Sequence, residues 1–235
     1  MFKGAVFDFD GVIVDSHPAH LRAWKRFLNF VGKTVSEEQL QFVLDGRKRD
    51  AILHHFMGEL DADQLNEYGL RKEQFFRDEV THVRSALGLV DFLDDLRSAQ
   101  LSLAIASSGS KSRIHFLLDR FGLRKYFQEV VTGDEVDQEK PHPAVFLKAA
   151  DRLNIDPSEL IAFEDAVSGV KAARSAGMKC IGIAQRDRAS ALIAAGATHV
   201  APDFQFLSCS ELRKLLSNGA PQGVPDSPQP TVDIC

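Results

Sequence analysis

Two pairs of acidic residues, far apart in the chain, have the types and the spacing for work at one reaction centre. Asp8 and Asp10 follow a short apolar run, and Glu164 and Asp165 end a second one. Side chains two positions apart on a strand point the same way, so Asp8 and Asp10 can serve one site. Each pair of carboxylates about 4 Å apart costs about 4 kcal/mol at an effective dielectric of roughly 20, so four of them require cations. Ligands that are all oxygen select a hard ion such as Mg²⁺.

A lysine and a serine could complete a phosphate site. Lys140 lies in a Lys-Pro-His-Pro stretch, and Ser107 directly follows the apolar run at 101–106. A metal ion, an ammonium group and a hydroxyl together suit a phosphate dianion. Asp8 is then left as a nucleophile, with Asp10 beside it as a general acid. Alone, however, an Asp-x-Asp sequence is also typical of a capped or solvated turn.

Strands and helices that alternate along the chain must position these groups. From residue 88 onward, short apolar runs alternate with apolar residues at helical spacing; Val90, Leu93 and Leu96, for example, indicate a helix. Such alternation predicts a parallel sheet with helices on both faces. Ligands of these sheets bind outside the carboxyl ends of the strands, and the polar residues above follow strands or lie in the loops after them.

The stretch between the first strand and residue 84 carries helical patterns. A capping box at Ser36 and Gln39 begins one helix, and a further helix is predicted from Asp61 to roughly Val83, although Gly69 weakens its continuity. We predict an all-helical domain over residues 16–84.

The same patterns assign residues 1–15 and 85–216 to the catalytic core. Residues 217–235 are rich in Pro, Gly, Ser and Gln and are expected to be disordered, because they lack the apolar groups to build a core.

Composition and net charge limit the kinds of partner and the cellular location that the protein can have. The formal net charge of −5 argues against nucleic acid or an anionic membrane as a partner. The apolar runs all fall short of the ~18–20 residues that a spanning helix needs, and the two aspartates at 8 and 10 interrupt any apolar region of a signal peptide. Three scattered cysteines fit a reducing compartment. We expect a cytoplasmic protein and, with no sequence signal for oligomeric state, a monomer.

Four short motifs resemble those of the haloacid dehalogenase-like superfamily. They are, in chain order, Asp8-Phe-Asp10-Gly-Val, Ala106-Ser-Ser108, Lys140-Pro and Glu164-Asp165-Ala-x-x-Gly169. The match extends from about residue 2 to residue 216, and the position of the helical insertion resembles the β-phosphoglucomutase-like branch. The resemblance implies an α/β fold: a Rossmann-like, three-layer parallel-sheet core with an inserted, mobile, all-helical cap.

The resemblance also implies a mechanism through an aspartyl phosphate. Asp8 would attack phosphorus, and Asp10 would protonate the leaving oxygen and later activate water or an incoming hydroxyl. Ser107 and the backbone at Ser108 would hold the phosphoryl oxygens. Lys140 would neutralise the nucleophile and the phosphate.

The implied cofactor is Mg²⁺. By resemblance, the ion would be bound by the Asp8 carboxylate, the Asp10 carbonyl oxygen and Asp165, with Glu164 at or near it. The implied partner is a small phosphorylated metabolite.

Cap residues could read the substrate. His20 and Trp24 lie on one face of the first cap helix, but Trp24 could equally pack in the cap core beside a partly buried His20. The basic stretch from Gly46 to Arg49 resembles the substrate-specificity loop of the family's cap. In that role, Arg49 would contact a second phosphate or a sugar hydroxyl of the substrate. The alternative is that this stretch is a solvated helix start. Lys72 resembles the cap lysine that faces the site, and the alternative is a surface lysine.

The favoured function is that of a Mg²⁺-dependent phosphatase for a small metabolite, expected to be a sugar phosphate. The alternative is a phosphomutase of the β-phosphoglucomutase type. A dehalogenase is disfavoured, because a leaving halide needs no proton from Asp10. A scaffold protein would have lost the nucleophile or a metal ligand, and none is lost.

Overall fold

A six-stranded parallel sheet forms the centre of the protein. The computed structural model describes residues 2–217, so that the predicted tail, apart from its first residue, lies outside the described residues. The strands are β1 (Gly4–Phe7), β4 (Ser102–Ala106), β5 (Glu129–Val131), β6 (Leu160–Glu164), β7 (Lys179–Ile183) and β8 (His199–Ala201). Their order is β5-β4-β1-β6-β7-β8, and every neighbouring pair is parallel.

Helices cover both faces of this sheet and build a separate layer above its edge. The core helices are α5 (Leu89–Ser98), α6 (Lys111–Arg120), α7 (Ala144–Leu153), α8 (Val167–Ser175), α9 (Arg186–Ala194) and α10 (Cys209–Ser217). The helices between the first strand and the core are α1 (His17–Phe30), α2 (Glu37–Leu40), α3 (Arg49–Met57) and α4 (Ala62–Glu79). The predicted α/β class, with its parallel-sheet core and helical cap, is confirmed. No helix within residues 2–217 combines the length and the apolar character that crossing a membrane demands.

The central strand β1 is buried on both faces. Phe7 belongs to the apolar cluster on one face, where it stacks on Phe163 with ring centroids 4.6 Å apart, and Val6 belongs to the cluster on the other face. A strand covered on both sides needs no alternation of apolar and polar residues, which is why its sequence is a continuous apolar run. The sheet therefore gives a rigid base to the residues at its carboxyl edge.

The cap has an apolar core of its own. Trp24, Phe27 and Leu53 are at most 1% exposed and pack in one cluster. Helix α4 runs without a break through Gly69, contrary to the expected weakness there. A Cβ at Gly69 would lie 2.4 Å from the guanidinium carbon of Arg49, so the glycine makes room for that side chain against the helix.

A two-stranded antiparallel ribbon joins the cap to the core. Strands β2 (Val14–Asp15) and β3 (Arg84–Ser85) pair Val14 with Ser85 and Asp15 with Arg84. Neither strand could be recognised from the sequence, because a pair of two-residue strands has no periodicity to detect. The ribbon lies at the predicted limits of the cap, 16–84, and those limits stay a prediction.

Candidate active site

A buried lysine links the first and last motifs of the sequence. Lys140 Nζ lies 2.5 Å from Asp8 Oδ1 and 2.6 Å from Glu164 Oε1, and the lysine is 1% exposed. Burial disfavours the ammonium form, but the carboxylates of Asp8 and Glu164 raise the pKa of Lys140 above its ordinary value. The parallel pairing of β1 with β6 brings the two acids together, because both stand at the carboxyl ends of neighbouring strands.

Three carboxylates form a cluster that fits a divalent cation. Oxygen atoms of Asp8, Glu164 and Asp165 lie within 4.8 Å of one another, and all three residues are buried. Within residues 2–217, Asp165 Oδ2 is buried and accepts no hydrogen bond of good geometry, although His17 Nε2 and Arg188 Nη1 lie 3.1 and 3.6 Å from it. Burial and the neighbouring acids raise the pKa of Asp8 well above its ordinary range despite Lys140. A hard cation would satisfy the orphan oxygen and favour the ionised form of Asp8.

A glycine in the last motif keeps Glu164 in place. Glu164 Oε2 accepts hydrogen bonds from the backbone N–H groups of Asp165 (2.9 Å) and Ala166 (3.0 Å). A Cβ at Gly169 would lie 1.8 Å from Glu164 Oε1, so any side chain there would displace the carboxylate from Lys140. Both oxygens of Glu164 are therefore occupied by the protein, whereas Asp165 keeps an oxygen for a ligand.

Asp10 stands apart from this cluster and is held by donors. Arg113 Nη1 and Nη2 donate to Asp10 Oδ1 and Oδ2 at 2.6 and 2.7 Å. Ser16 Oγ donates to Oδ1 at 2.6 Å, and His20 Nε2 lies 3.2 Å from the same oxygen. Burial alone would raise the pKa of Asp10, but Arg113 and His20 lower it well below its usual range. Asp10 is consequently a carboxylate in this state of the protein.

Two cap residues extend this network. Lys72 Nζ lies 3.2 Å from His20 Nδ1. Because an ammonium group can only donate, His20 Nδ1 accepts and His20 Nε2 carries the proton toward Asp10. Burial and then Lys72 lower the pKa of His20 to about 3, so the imidazole is neutral at pH 7. Burial, with Arg113 and Arg49 adding to it, lowers the pKa of Lys72 to about 8, although Glu73 and Asp10 act in the opposite direction.

The two serines of the second motif have different partners. Ser107 is 1% exposed, and its Oγ accepts a hydrogen bond from the Gly109 N–H at 3.1 Å, which leaves its own hydrogen free to donate into the cavity. Ser108 Oγ donates instead to the carbonyl oxygen of Gly46 in the cap, at 2.7 Å. Gly46 has a φ of 66°, which a glycine adopts without strain.

A single cavity of about 410 Å³ brings the predicted residues together. It is lined by Asp8, Asp10, His20, Trp24, Gly46, Arg49, Lys72, Ser107, Ser108 and Asp165. Lys140 and Glu164 lie directly behind it. Trp24 was predicted either to contact the substrate or to pack in the cap core. In the structure it packs in the cap core and also lines the cavity. Lys72 is 4% exposed, so the alternative of a surface lysine is wrong.

Among the cavity residues that were not predicted from the sequence, Arg113 and His17 lie directly against the predicted acids Asp10 and Asp165. Arg113 is one arginine on an amphipathic helix and gives no signal in a single sequence. His17 could have been noticed, because it precedes His20 by one helical turn and follows the first motif closely.

Comparison with known proteins agrees with the fold and the motifs. The family model described as haloacid dehalogenase-like hydrolase matches residues 5–183. Fructose-1-phosphate phosphatase YqaB of Escherichia coli is 32% identical over 184 residues, which cover 77% of this chain and 96% of the relative. Hexitol phosphatase A of Escherichia coli is 33% identical over 184 residues, 77% of this chain and 82% of the relative.

A solved structure gives the same fold at lower identity. The crystal structure of β-phosphoglucomutase from Clostridium difficile superposes with a TM-score of 0.83 at 22% identity, over 92% of this chain and 98% of the other. The chain belongs to the haloacid dehalogenase-like hydrolase family. The predicted membership and the predicted class of enzyme, a phosphoric monoester hydrolase, are confirmed.

Proposed function

We propose that the protein is a Mg²⁺-dependent phosphatase of small sugar or polyol phosphates and that it acts through an aspartyl phosphate on Asp8. The observation that carries the proposal is the position of Asp8, which shares Lys140 with Glu164 at the floor of a partly open cavity, beside a cluster of acidic residues that fits a divalent cation. The relatives named above are phosphatases of fructose 1-phosphate and of hexitol phosphates, which supports this substrate class.

In the first step, an oxygen of Asp8 attacks phosphorus and the bond to the substrate oxygen breaks. The leaving alkoxide takes a proton from Asp10. Asp10 is unprotonated before substrate arrives, but the two negative charges of a bound phosphate raise the affinity of a neighbouring carboxylate for a proton. The Ser107 hydroxyl and the backbone N–H of Ser108 hold the equatorial oxygens, and Lys140 offsets the charge that gathers at Asp8.

In the second step, water attacks the phosphorus of the aspartyl phosphate. Asp10, now a carboxylate again, accepts the proton of the water, the bond between phosphorus and Asp8 breaks, and inorganic phosphate leaves. The low pKa of Asp10, which Arg113 and His20 maintain, favours its action as a base in this step. The same side chain is therefore used in both directions.

The residues that would hold Mg²⁺ are Asp8, Asp165 and the carbonyl oxygen of Asp10, with Glu164 beside them as the partner of Lys140. When bound, such an ion offsets the negative charge that the carboxylates and the phosphate bring together. The orphan oxygen of Asp165 is the feature of this chain that supports the assignment.

Hydrolysis is preferred to phosphoryl transfer back onto the sugar. The named relatives above 30% identity are hydrolases, whereas the mutase superposes at 22% identity, which supports the fold alone. The cap residues His20, Arg49 and Lys72 are compatible with either outcome. The cytoplasmic location and the monomeric state remain predictions.

A two-product assay separates the phosphatase from the mutase. Fructose 1-phosphate and sorbitol 6-phosphate are expected to release phosphate steadily. β-Glucose 1-phosphate, supplied with a catalytic amount of the 1,6-bisphosphate, is expected to give free phosphate without fast isomerisation. Rapid formation of glucose 6-phosphate with little free phosphate would reverse the assignment.

The charge of Lys72 predicts that substrate binding weakens at high pH. Because the pKa of Lys72 is lowered to about 8, its ammonium is intact below that pH and is lost above it. The phosphate monoester is already a dianion there, since its second pKa is about 6. We expect KM to rise between pH 7 and 9.5, by about tenfold or more if one charge-assisted hydrogen bond worth about 1.5–3 kcal/mol disappears.

Two variants check this limit. Lys72→Met should show the high KM already at pH 7, and Lys72→Arg, whose charge persists, should keep KM flat to pH 9.5. Lys171→Met is the control, because that lysine is exposed and does not line the cavity. A wild-type KM that does not change over this range would contradict the prediction.

A further inference from the structure

Arg113 is a buried cation whose charge lowers the pKa of Asp10, but the geometry of its contact with Asp10 has not yet been given a role. It lies on α6 of the core, its side chain is 6% exposed, and its two terminal nitrogens bind the two oxygens of Asp10 at 2.6 and 2.7 Å. A guanidinium group that meets a carboxylate through two parallel hydrogen bonds fixes the plane of that carboxylate as well as its position. A point charge such as lysine would fix the position only.

The surroundings of Arg113 are shaped to hold the guanidinium in this pose. A Cβ at Gly109 would lie 2.2 Å from Arg113 Nη2, so the glycine is the opening through which the side chain reaches Asp10. On the other side, the ring of Phe76 from cap helix α4 lies with its centroid 5.2 Å from the guanidinium carbon. A core loop and a cap helix thus enclose the group between them.

The donors are divided unequally between the two oxygens of Asp10. Oδ1 has three neighbours within hydrogen-bond distance, Ser16 Oγ, His20 Nε2 and Arg113 Nη1, whereas Arg113 Nη2 is the one donor recorded for Oδ2 among residues 2–217. A carboxylate oxygen has two lone pairs, so Oδ2 keeps one for exchange of a proton.

We propose that Arg113 is a positioning residue for the phosphatase reaction, which fixes the Asp10 carboxylate so that Oδ2 is the oxygen that gives the proton to the leaving group and takes it from water. This inference rests on the proposed function, since it assigns a role through Asp10. In the first step, the Oδ2–H bond breaks as the proton joins the departing alkoxide. In the second step, a proton of the attacking water forms that bond again.

The leaving group distinguishes this role from a merely structural one. An alkyl ester such as fructose 1-phosphate or sorbitol 6-phosphate needs a proton on its leaving oxygen, whereas p-nitrophenyl phosphate releases a stable phenolate without one. Because kcat/KM covers the steps up to the aspartyl phosphate, a residue that acts through the acid should affect the alkyl ester far more than the aryl ester. A general disturbance of the site should affect both alike.

Three variants test the proposal with these substrates. Arg113→Met removes the guanidinium, and Gly109→Ala displaces it while the charge is kept. Both are expected to lower kcat/KM for the faster of the two alkyl esters by about 100-fold, the lower end of what general acid catalysis contributes, and for p-nitrophenyl phosphate by less than about fivefold. Arg113→Lys should restore part of the loss. Inhibition by inorganic phosphate should stay within about threefold of wild type.

Controls separate the possible failures. Arg120→Met, an exposed arginine on the same helix, should leave both rates unchanged. In an Asp10→Ala background, Arg113→Met should cause no further loss with the alkyl ester, because two residues that act through one group are not additive. Should Arg113→Met fail to fold, Gly109→Ala carries the test, since Gly109 does not have a positive φ and tolerates the backbone of alanine.

Equal losses on the two kinds of ester, or none on either, would overturn the role of Arg113. If Asp10→Ala itself kept wild-type rates on the alkyl ester, the proposed mechanism would fail, and the inference with it. If Asp10→Ala were slow and Arg113→Met were not, the mechanism would stand and the inference alone would be wrong.

Discussion

Asp8→Asn is expected to abolish phosphate release and to leave the protein folded. The amide has the shape of the carboxylate but cannot form an acyl phosphate, and water alone hydrolyses phosphate monoesters so slowly that enzymes supply up to ~10²¹-fold. Lys140 keeps Glu164 as a partner in the variant, so no buried ammonium is left without an acid. Burial raises the pKa of Asp8, which means that the ionised carboxylate destabilises the folded protein. We therefore expect that the neutral amide does not lower the melting temperature.

Two measurements check this result together. Phosphate release should fall below a few per cent of wild type, and mass spectrometry after incubation with substrate should detect no phosphoryl group on the variant. Asp15→Asn, the same change at an exposed aspartate outside the cavity, should behave as wild type in both. Residual turnover above a few per cent in folded Asp8→Asn would remove the nucleophile from the proposal.

Chelation of divalent cations is expected to abolish turnover, and Mg²⁺ to restore it. Asp8, Glu164 and Asp165 are buried carboxylates that repel one another, and Asp165 Oδ2 accepts no hydrogen bond within residues 2–217, so a small hard cation among them lowers the repulsion. Ca²⁺ prefers longer bonds and a less regular shell than Mg²⁺, so it should support turnover poorly.

Binding of the ion can be measured apart from activity. Addition of Mg²⁺ should raise the melting temperature of the metal-free protein, because a ligand that binds the folded state alone stabilises it. Asp165→Asn should increase the Mg²⁺ concentration needed for half of this shift by more than about tenfold, an effect at least as large as loss of an outer-shell partner. Asp134→Asn, at a carboxylate of the cavity outside the cluster, is the control. Full activity in excess chelator would exclude the metal site.

The acids of the site could be predicted because they follow from strand order alone. Parallel strands direct their carboxyl ends to one edge, so Asp8 and Glu164 were expected at the same edge once both apolar runs were recognised as strands of one sheet, and the pairing of β1 with β6 brings them into contact. The helices of the cap could be predicted for a related reason. A capping box is a local feature, and the structure contains both hydrogen bonds of the one at Ser36 and Gln39.

What could not be predicted depends on contacts between distant segments. Val90 has the helical spacing of Leu93 and Leu96, yet it is 42% exposed. The buried residue of this turn is Phe92, whose ring stacks on that of Phe204 in the core. The sequence suggests that Gly69 weakens its helix, but in the structure the glycine leaves room for the Arg49 side chain against that helix. Arg113 has no local sequence signal, because its partner Asp10 lies 103 residues away in the chain.

The β2–β3 ribbon has a consequence for how such a protein can be rebuilt. Because Val14 pairs with Ser85, the chain leaves the core and returns to it at neighbouring points. The first and last residues of the cap are therefore adjacent in space. Insertions whose ends meet in this way are the ones that domain exchange tolerates. Cutting at the ribbon allows the cap of one relative to be grafted onto the core of another without a new linker, so that the choice of substrate becomes exchangeable as long as the graft keeps His20 and Lys72 beside Asp10.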